Sequence, residues 1–116
     1  MRLAFHATRP AQLSTVNQMI HDAWFELPSV QYVSAERAVV IPFGSQGASS
    51  APQTFERILR VEHVDRLRIT DKASISTYDI NKVTYDPAKA RLTLSSGFPL
   101  TIEMDALLLS VQVFEM

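Results

Sequence analysis

The segment "IHDAWFE" (residues 20–26) sets a histidine, an aspartate and a glutamate around a tryptophan, just ahead of Pro28. Imidazole beside carboxylate is common material for general acid–base catalysis. Spacing decides whether these groups can meet. In a helix successive residues turn by about 100°, which puts His21 on the flank of the apolar stripe and Asp22 roughly opposite it. Sequence neighbours do not face each other on a helix. His21 and Asp22 alone then make no dyad. His21 reads as a boundary residue near a helix C-terminus, where a cation is favoured. It becomes reactive only if an acid from a strand reaches it.

Two further histidines exist, His6 and His63. His63 sits in "VEHVD", between Glu62 and Asp65. Imidazole and carboxylate together can hold a metal. No H-x-x-x-H or H-E-x-x-H spacing is present, so no metal or other cofactor is expected. Asp65, Asp71, Asp79 and Asp86 recur through the second half. Asp79 stands between Tyr78 and Ile80 in a strand-like run, where aspartate is disfavoured. It is either an outward strand residue, the favoured reading, or a functional acid. The candidates for chemistry are therefore His21, His63 and Asp79, and Trp24, Tyr32, Tyr78 and Tyr85 are the aromatics that could line a pocket with them. There is no cysteine, no G-x-S-x-G elbow, no GxGxxG and no glycine–lysine–serine/threonine phosphate loop.

These residues must be positioned by the elements around them. "RLAFHA" alternates and reads as a short strand with Leu3, Phe5 and Ala7 on one side. Pro10 suits the first turn of a helix; Thr8 or Arg9 precedes that turn, and Thr8 is the better capping type. Leu13, Val16, Ile20, Ala23, Trp24 and Leu27 then follow helical spacing, which predicts one long helix ending near Phe25. Pro28 stops it. The remainder predicts strands. "VQYVSA" and "RAVVIPF" form a hairpin, with Pro42 at a strand end or edge. "GSQGASSAPQ" (Gly44 to Gln53) reads as a mobile loop or lid. "RLRIT" puts Leu67 and Ile69 together, and the break in "YDINKVTYD" marks a turn or bulge. Asp86 and Pro87 suit a type I turn. The last 34 residues, counted from Val83, predict an antiparallel meander with Leu100, Ile102 and Met104, then Leu107, Leu109, Val111 and Val113, facing inward.

The expected architecture is α+β, one domain over residues 1–116. A curved, mainly antiparallel sheet of about seven or eight strands carries the N-terminal helix. A partly closed barrel is the alternative.

The chain is 47% hydrophobic and 20% charged, with a formal net charge of −1. Basic residues form no runs, which argues against a grip on nucleic acid. No apolar run approaches membrane-spanning length, and the N-terminus lacks a signal-peptide core. The expectation is a cytoplasmic protein with neither nucleic-acid nor membrane partners.

"IHDAWFELPSVQY…VVIPF" followed by "YDINKVTYD…RLTLSSGFPLTIEM…LLLSVQV" resembles small uncharacterised bacterial domains, in which a helix ending in His-Asp precedes an antiparallel sheet. Some of these resemble immunity proteins of bacterial toxin systems. The resemblance covers most of the chain. It implies the α+β class and a protein-binding role, with no catalytic residues. The strongly acidic surface common among inhibitors of basic nuclease toxins is missing here.

Several strands carry apolar residues on both faces: Val40 opposite Val39 and Ile41, and Leu108 and Phe114 opposite the inward set. One helix cannot cover both faces of a sheet, and uncovered apolar faces seek partners. The leading expectation is thus a non-catalytic interaction module, a homodimer or an adaptor for another protein. The alternative is a small-molecule binder or minor enzyme with its pocket on the concave face of the sheet.

Overall fold

The computed structural model describes residues 1–44 and 55–116. Its strands are β1 (Arg2–Ala7), β2 (Trp24–Glu26), β3 (Gln31–Val33), β4 (Ala38–Phe43), β5 (Arg57–Val61), β6 (Val64–Asp71), β7 (Thr77–Asp79), β8 (Lys82–Asp86), β9 (Arg91–Ser95), β10 (Leu100–Ala106) and β11 (Val111–Glu115). One helix, α1 (Leu13–Ile20), follows β1. All pairings of these strands are antiparallel. The α+β class thus holds.

The single curved sheet does not. The strands divide into a five-stranded sheet in the order β1-β11-β5-β4-β3, a four-stranded sheet in the order β6-β10-β9-β8, and the pair β2-β7. The reason lies in burial. Val39, Ile41, Leu59, Val61, Val111 and Val113 from the first sheet share one apolar cluster with Leu92, Leu94, Ile102 and Met104 from the second. Two amphipathic sheets can cover each other's apolar faces far more fully than one short helix could.

The predicted meander holds only through β10. β11 leaves its sequence neighbour and inserts between β1 and β5. The chain crosses between sheets at residues 107–110, so Leu107, predicted inward, is 77% exposed. Ile69 is also more open than its alternation suggests, at 42%, because β6 lies at a sheet edge.

The helix is shorter than predicted. A 3-10 turn at Pro10–Gln12 leads into it, and Leu13, Val16 and Ile20 are buried. Arg9, not Thr8, holds the N-cap position, and the capping oxygen comes from below. Gln12 Oε1 accepts from the Thr8 and Arg9 amides at 2.8 and 3.1 Å. The helix stops at Ile20; His21 is extended and Asp22 takes a positive φ of 60°. Trp24–Glu26 then pairs with Thr77–Asp79. Phe25 explains why. The helical pattern leaves it off the apolar stripe, whereas the strand buries it completely, its ring 6.0 Å from that of Tyr78. Burying such a side chain favours the strand by roughly 1.5–3 kcal/mol, and aromatic residues fit strands well.

Trp24 also bridges Gly44 in both backbone directions. A Cβ at Gly44 would lie 2.6 Å from the indole, so only glycine fits. Residues 45–53 of the segment predicted to be a loop or lid lie outside the described residues. The β3–β4 hairpin forms as predicted. Pro42 lies past the end of the short β3, where a missing N–H costs no ladder bond on that side. The "YDPAKAR" turn also forms, with Asp86 Oδ1 accepting from the Ala88 and Lys89 amides. The break in "YDINKVTYD" is the turn between β7 and β8.

α1 packs against β8 and touches β1, closing one flank between the two sheets. Asn17 completes the closure. Its amide oxygen accepts from the Val83 N–H at 2.7 Å, and its Nδ2 donates to the Val83 carbonyl at 2.9 Å. The side chain thereby occupies backbone groups that an edge strand leaves open.

Candidate functional site

With the helix ended at Ile20, His21 and Asp22 do meet, contrary to the helical reading. His21 Nε2 lies 3.4 Å from Asp22 Oδ2, with side chains 59% and 47% exposed. The other ring nitrogen is 3.3 Å from the Asn81 carbonyl. The pair is therefore oriented but solvated, and exposed contacts of this kind contribute little. His63 takes a positive φ of 63° in the turn from β5 to β6. Asp79 ties two segments together. Its Oδ1 accepts from Ser96 Oγ at 2.7 Å and from the Gly97 amide at 2.9 Å. A Cβ at Gly97 would lie 2.6 Å from Asp79 Oδ2, so the carboxylate is fitted against bare backbone.

Trp24 and Asp79 are cross-strand partners, as are Phe25 and Tyr78. The structure thus brings one aromatic candidate beside one acid candidate, but the Trp24 ring packs on Phe55, 5.2 Å away. Tyr32 donates to the Val64 carbonyl at 2.7 Å and Tyr85 to the Ala106 carbonyl at 2.8 Å. Tyr78 is buried, donates to Asp71 and accepts from the Ile75 amide. Burial first, and the hydrogen bond to Asp71 second, push its phenol above the ordinary value. The four aromatics therefore serve four separate backbone or core tasks.

Open depressions on the described surface include the following. One of about 320 Å³ is bordered by Lys72, Ser96 and Phe98. Another of about 450 Å³ is bordered by Tyr85, Arg91 and Glu103. A third of about 900 Å³ is bordered by Leu27, Pro28, Asp71 and Ile75. None of these three is bordered by His21, His63 or Asp79. Among the described residues, no three acidic or histidine side chains cluster closely enough to hold a metal ion.

One polar constellation is not visible in the sequence. Ser110, only 4% exposed, places its Oγ 2.7 Å from His6 Nε2 and 2.8 Å from Glu62 Oε1. The residue types suggest a nucleophile and its base, but the order is wrong. An ionised carboxylate only accepts, so the serine proton points to Glu62 and His6 Nε2–H donates to Oγ. A serine nucleophile needs its proton on the imidazole, which the acid then orients from the far side. The cluster instead ties β1 to the segments just after β5 and just before β11. Its members lie on three separate segments, and only the strand register joins them.

The outward faces of the two main sheets carry the strongest contrast. On the four-stranded sheet, Arg91 meets Asp105 at 3.0 Å and Glu103 at 3.2 Å, and Arg68 reaches the same two acids at 3.6 and 4.0 Å. The hydrogen bond to Asp105 leads the effects that raise the Arg91 pKa, so the guanidinium stays charged. On the five-stranded sheet a bulge between Leu3 and Phe5 turns Leu3 away from the side of Phe5 and Ala7 where alternation had placed it, and the register sets Leu3, Phe114, Ile58 and Pro42 in one row across four strands. Leu3 is 46% exposed, and the other three are half-buried. The neighbouring row is His6, Gln112, Arg60, Val40 and Gln31. Charges on and around this face are already matched: Arg2 with Glu115 at 2.7 Å, and Arg60 with Glu36 at 2.8 Å and Glu62 at 3.6 Å.

Among the described residues, no helix is long and apolar enough to cross a membrane. Comparison with protein-family models, with curated proteins and with solved structures returns no match.

Proposed function

We propose that the chain is a non-catalytic protein-interaction module that self-associates through the outward face of its five-stranded sheet. The observation that carries this reading is the row Leu3, Phe114, Ile58 and Pro42. Apolar side chains aligned on an outward sheet face gain stability by leaving water. The matched charges support a second copy as the partner. Two identical faces meet without like-charge repulsion when each surrounding cation already has its own anion. Two-fold association is also the commonest way for identical chains to cover a shared patch. Native mass spectrometry of the purified chain, beside a denatured spectrum, tests the reading. The expected result is twice the chain mass with no additional component. A monomer at every concentration contradicts it, as does a monomer carrying an adduct that is lost on denaturation.

A further inference from the structure

Among the described residues, the flank opposite α1 has no equivalent closure. There the edge of the four-stranded sheet is β6, eight residues long. Its first residue is tethered: the Val64 amide donates to the Arg37 carbonyl, and the Val64 carbonyl accepts from Tyr32. Beyond Asp65, which pairs with Arg37, the strand runs on along the sheet edge. Register with β10 puts Leu67, Ile69 and Asp71 on the inward side and Arg66, Arg68 and Thr70 on the outward side. The inward side is not sealed. Ile69 is 42% exposed and Ile75 is 41% exposed. The 900 Å³ depression begins at Asp71 and continues along Ile75, Leu27 and Pro28. On the outward side, Arg66 is exposed and has no ion-pair partner among the described residues, while Arg68, its side chain 40% exposed, already faces Asp105 and Glu103 at 3.6 and 4.0 Å.

We propose that β6 is a docking edge for an extended segment of another protein, with apolar side chains alternating with acidic ones. Main-chain pairing to an edge strand supplies affinity, and alternate side chains supply specificity. Pleating sends the apolar set inward, beside Leu67 and Ile69 and over the depression. The same pleating sends the acidic set outward, level with Arg66 and Arg68. The charges also disfavour a second copy at this edge in the two registers that overlap the strand most. A two-fold pairing of β6 with itself that keeps the inward faces together sets Arg66 against Arg68 when centred on Leu67. Centred on Arg68, it sets that arginine against its own copy. Like charges directly opposite are destabilising in a sheet. The surface is separate from the outward face of the five-stranded sheet and does not depend on self-association.

Two fluorescein-labelled nine-residue peptides test this, one alternating glutamate with valine and one alternating lysine with valine. Each is titrated against the full chain by anisotropy. The acidic peptide is expected to bind at least about tenfold more tightly. Arg66→Glu, at an exposed and unpaired position, is expected to weaken the acidic peptide about fivefold or more. Amide exchange should slow at residues 66–70 when the acidic peptide is added, and sedimentation of the variant alone should match that of the wild type. Equal binding of both peptides, binding of neither, or protection outside β6 overturns the proposal. Sedimentation reports on the self-association reading separately, so either can fail alone.

Discussion

On the outward face of the four-stranded sheet, Arg68, Arg91, Glu103 and Asp105 satisfy one another across strands. The corresponding face of the five-stranded sheet runs Leu3, Phe114, Ile58 and Pro42. Both sheets bury their other face in the same core. Inward alternation builds the fold, and it leaves the outward residues of the two sheets to differ. A neutralised charge ladder suits water, and a row of apolar side chains suits another surface.

Substitutions that exchange the character of the two faces should have unequal effects. Phe114→Asp is expected to weaken dimerisation by about thirtyfold or more, since a central aromatic in an interface commonly contributes about 2 kcal/mol or more. Sedimentation velocity across a dilution series reads this directly. A contrast internal to the four-stranded sheet comes next. Asn17→Ala leaves the Val83 N–H and carbonyl at the β8 edge without their side-chain partner. The expected cost is about 1–3 kcal/mol in urea unfolding, with no change in the association constant once folded.

Smaller effects follow from titration. The Tyr78 phenol is raised above its ordinary value of 10.0 by burial and by Asp71. The folded state then holds that proton more tightly than the unfolded chain. The contribution is fully present below pH 10.0 and is lost as pH rises from there through the folded value. A Tyr78→Phe variant should lack this alkaline component in its pH–stability profile. Glu115 is the opposite case and the weakest. Its hydrogen bond to Arg2, with the charge of Arg2 second, holds its carboxyl below the ordinary 4.5. Its contribution is present above pH 4.5 and is lost as pH falls through the folded value. The pair is exposed, so Glu115→Gln should flatten a small acid limb that salt also erases.

The strand alternation in "RLTLSS" and "FPLTIEM" was legible because each of these strands has one wet face and one dry one. The same rule made the double-sided apolar character of Val40 and Phe114 visible. Trp24–Glu26 was not legible as a strand. Its apolar spacing fits a helix, and its true partner, Thr77–Asp79, lies about fifty residues away in a run with its own break in pattern. The crossing at residues 107–110 was hidden for a related reason. "ALLLSVQV" alternates continuously, and only pairing with β1 and β5 shows where one sheet ends and the other begins. The constellation of His6, Glu62 and Ser110 depends on that same register, so its members could be named singly but not joined.

A difference in role between the two outward faces can be tested by one paired experiment. Sedimentation equilibrium of Ile58→Asp is set beside that of Thr93→Asp, two outward positions at the middle of their respective sheets. The expected result is a monomer for Ile58→Asp and an unchanged dimer for Thr93→Asp. A dimer that survives Ile58→Asp, or one abolished only by Thr93→Asp, would contradict it.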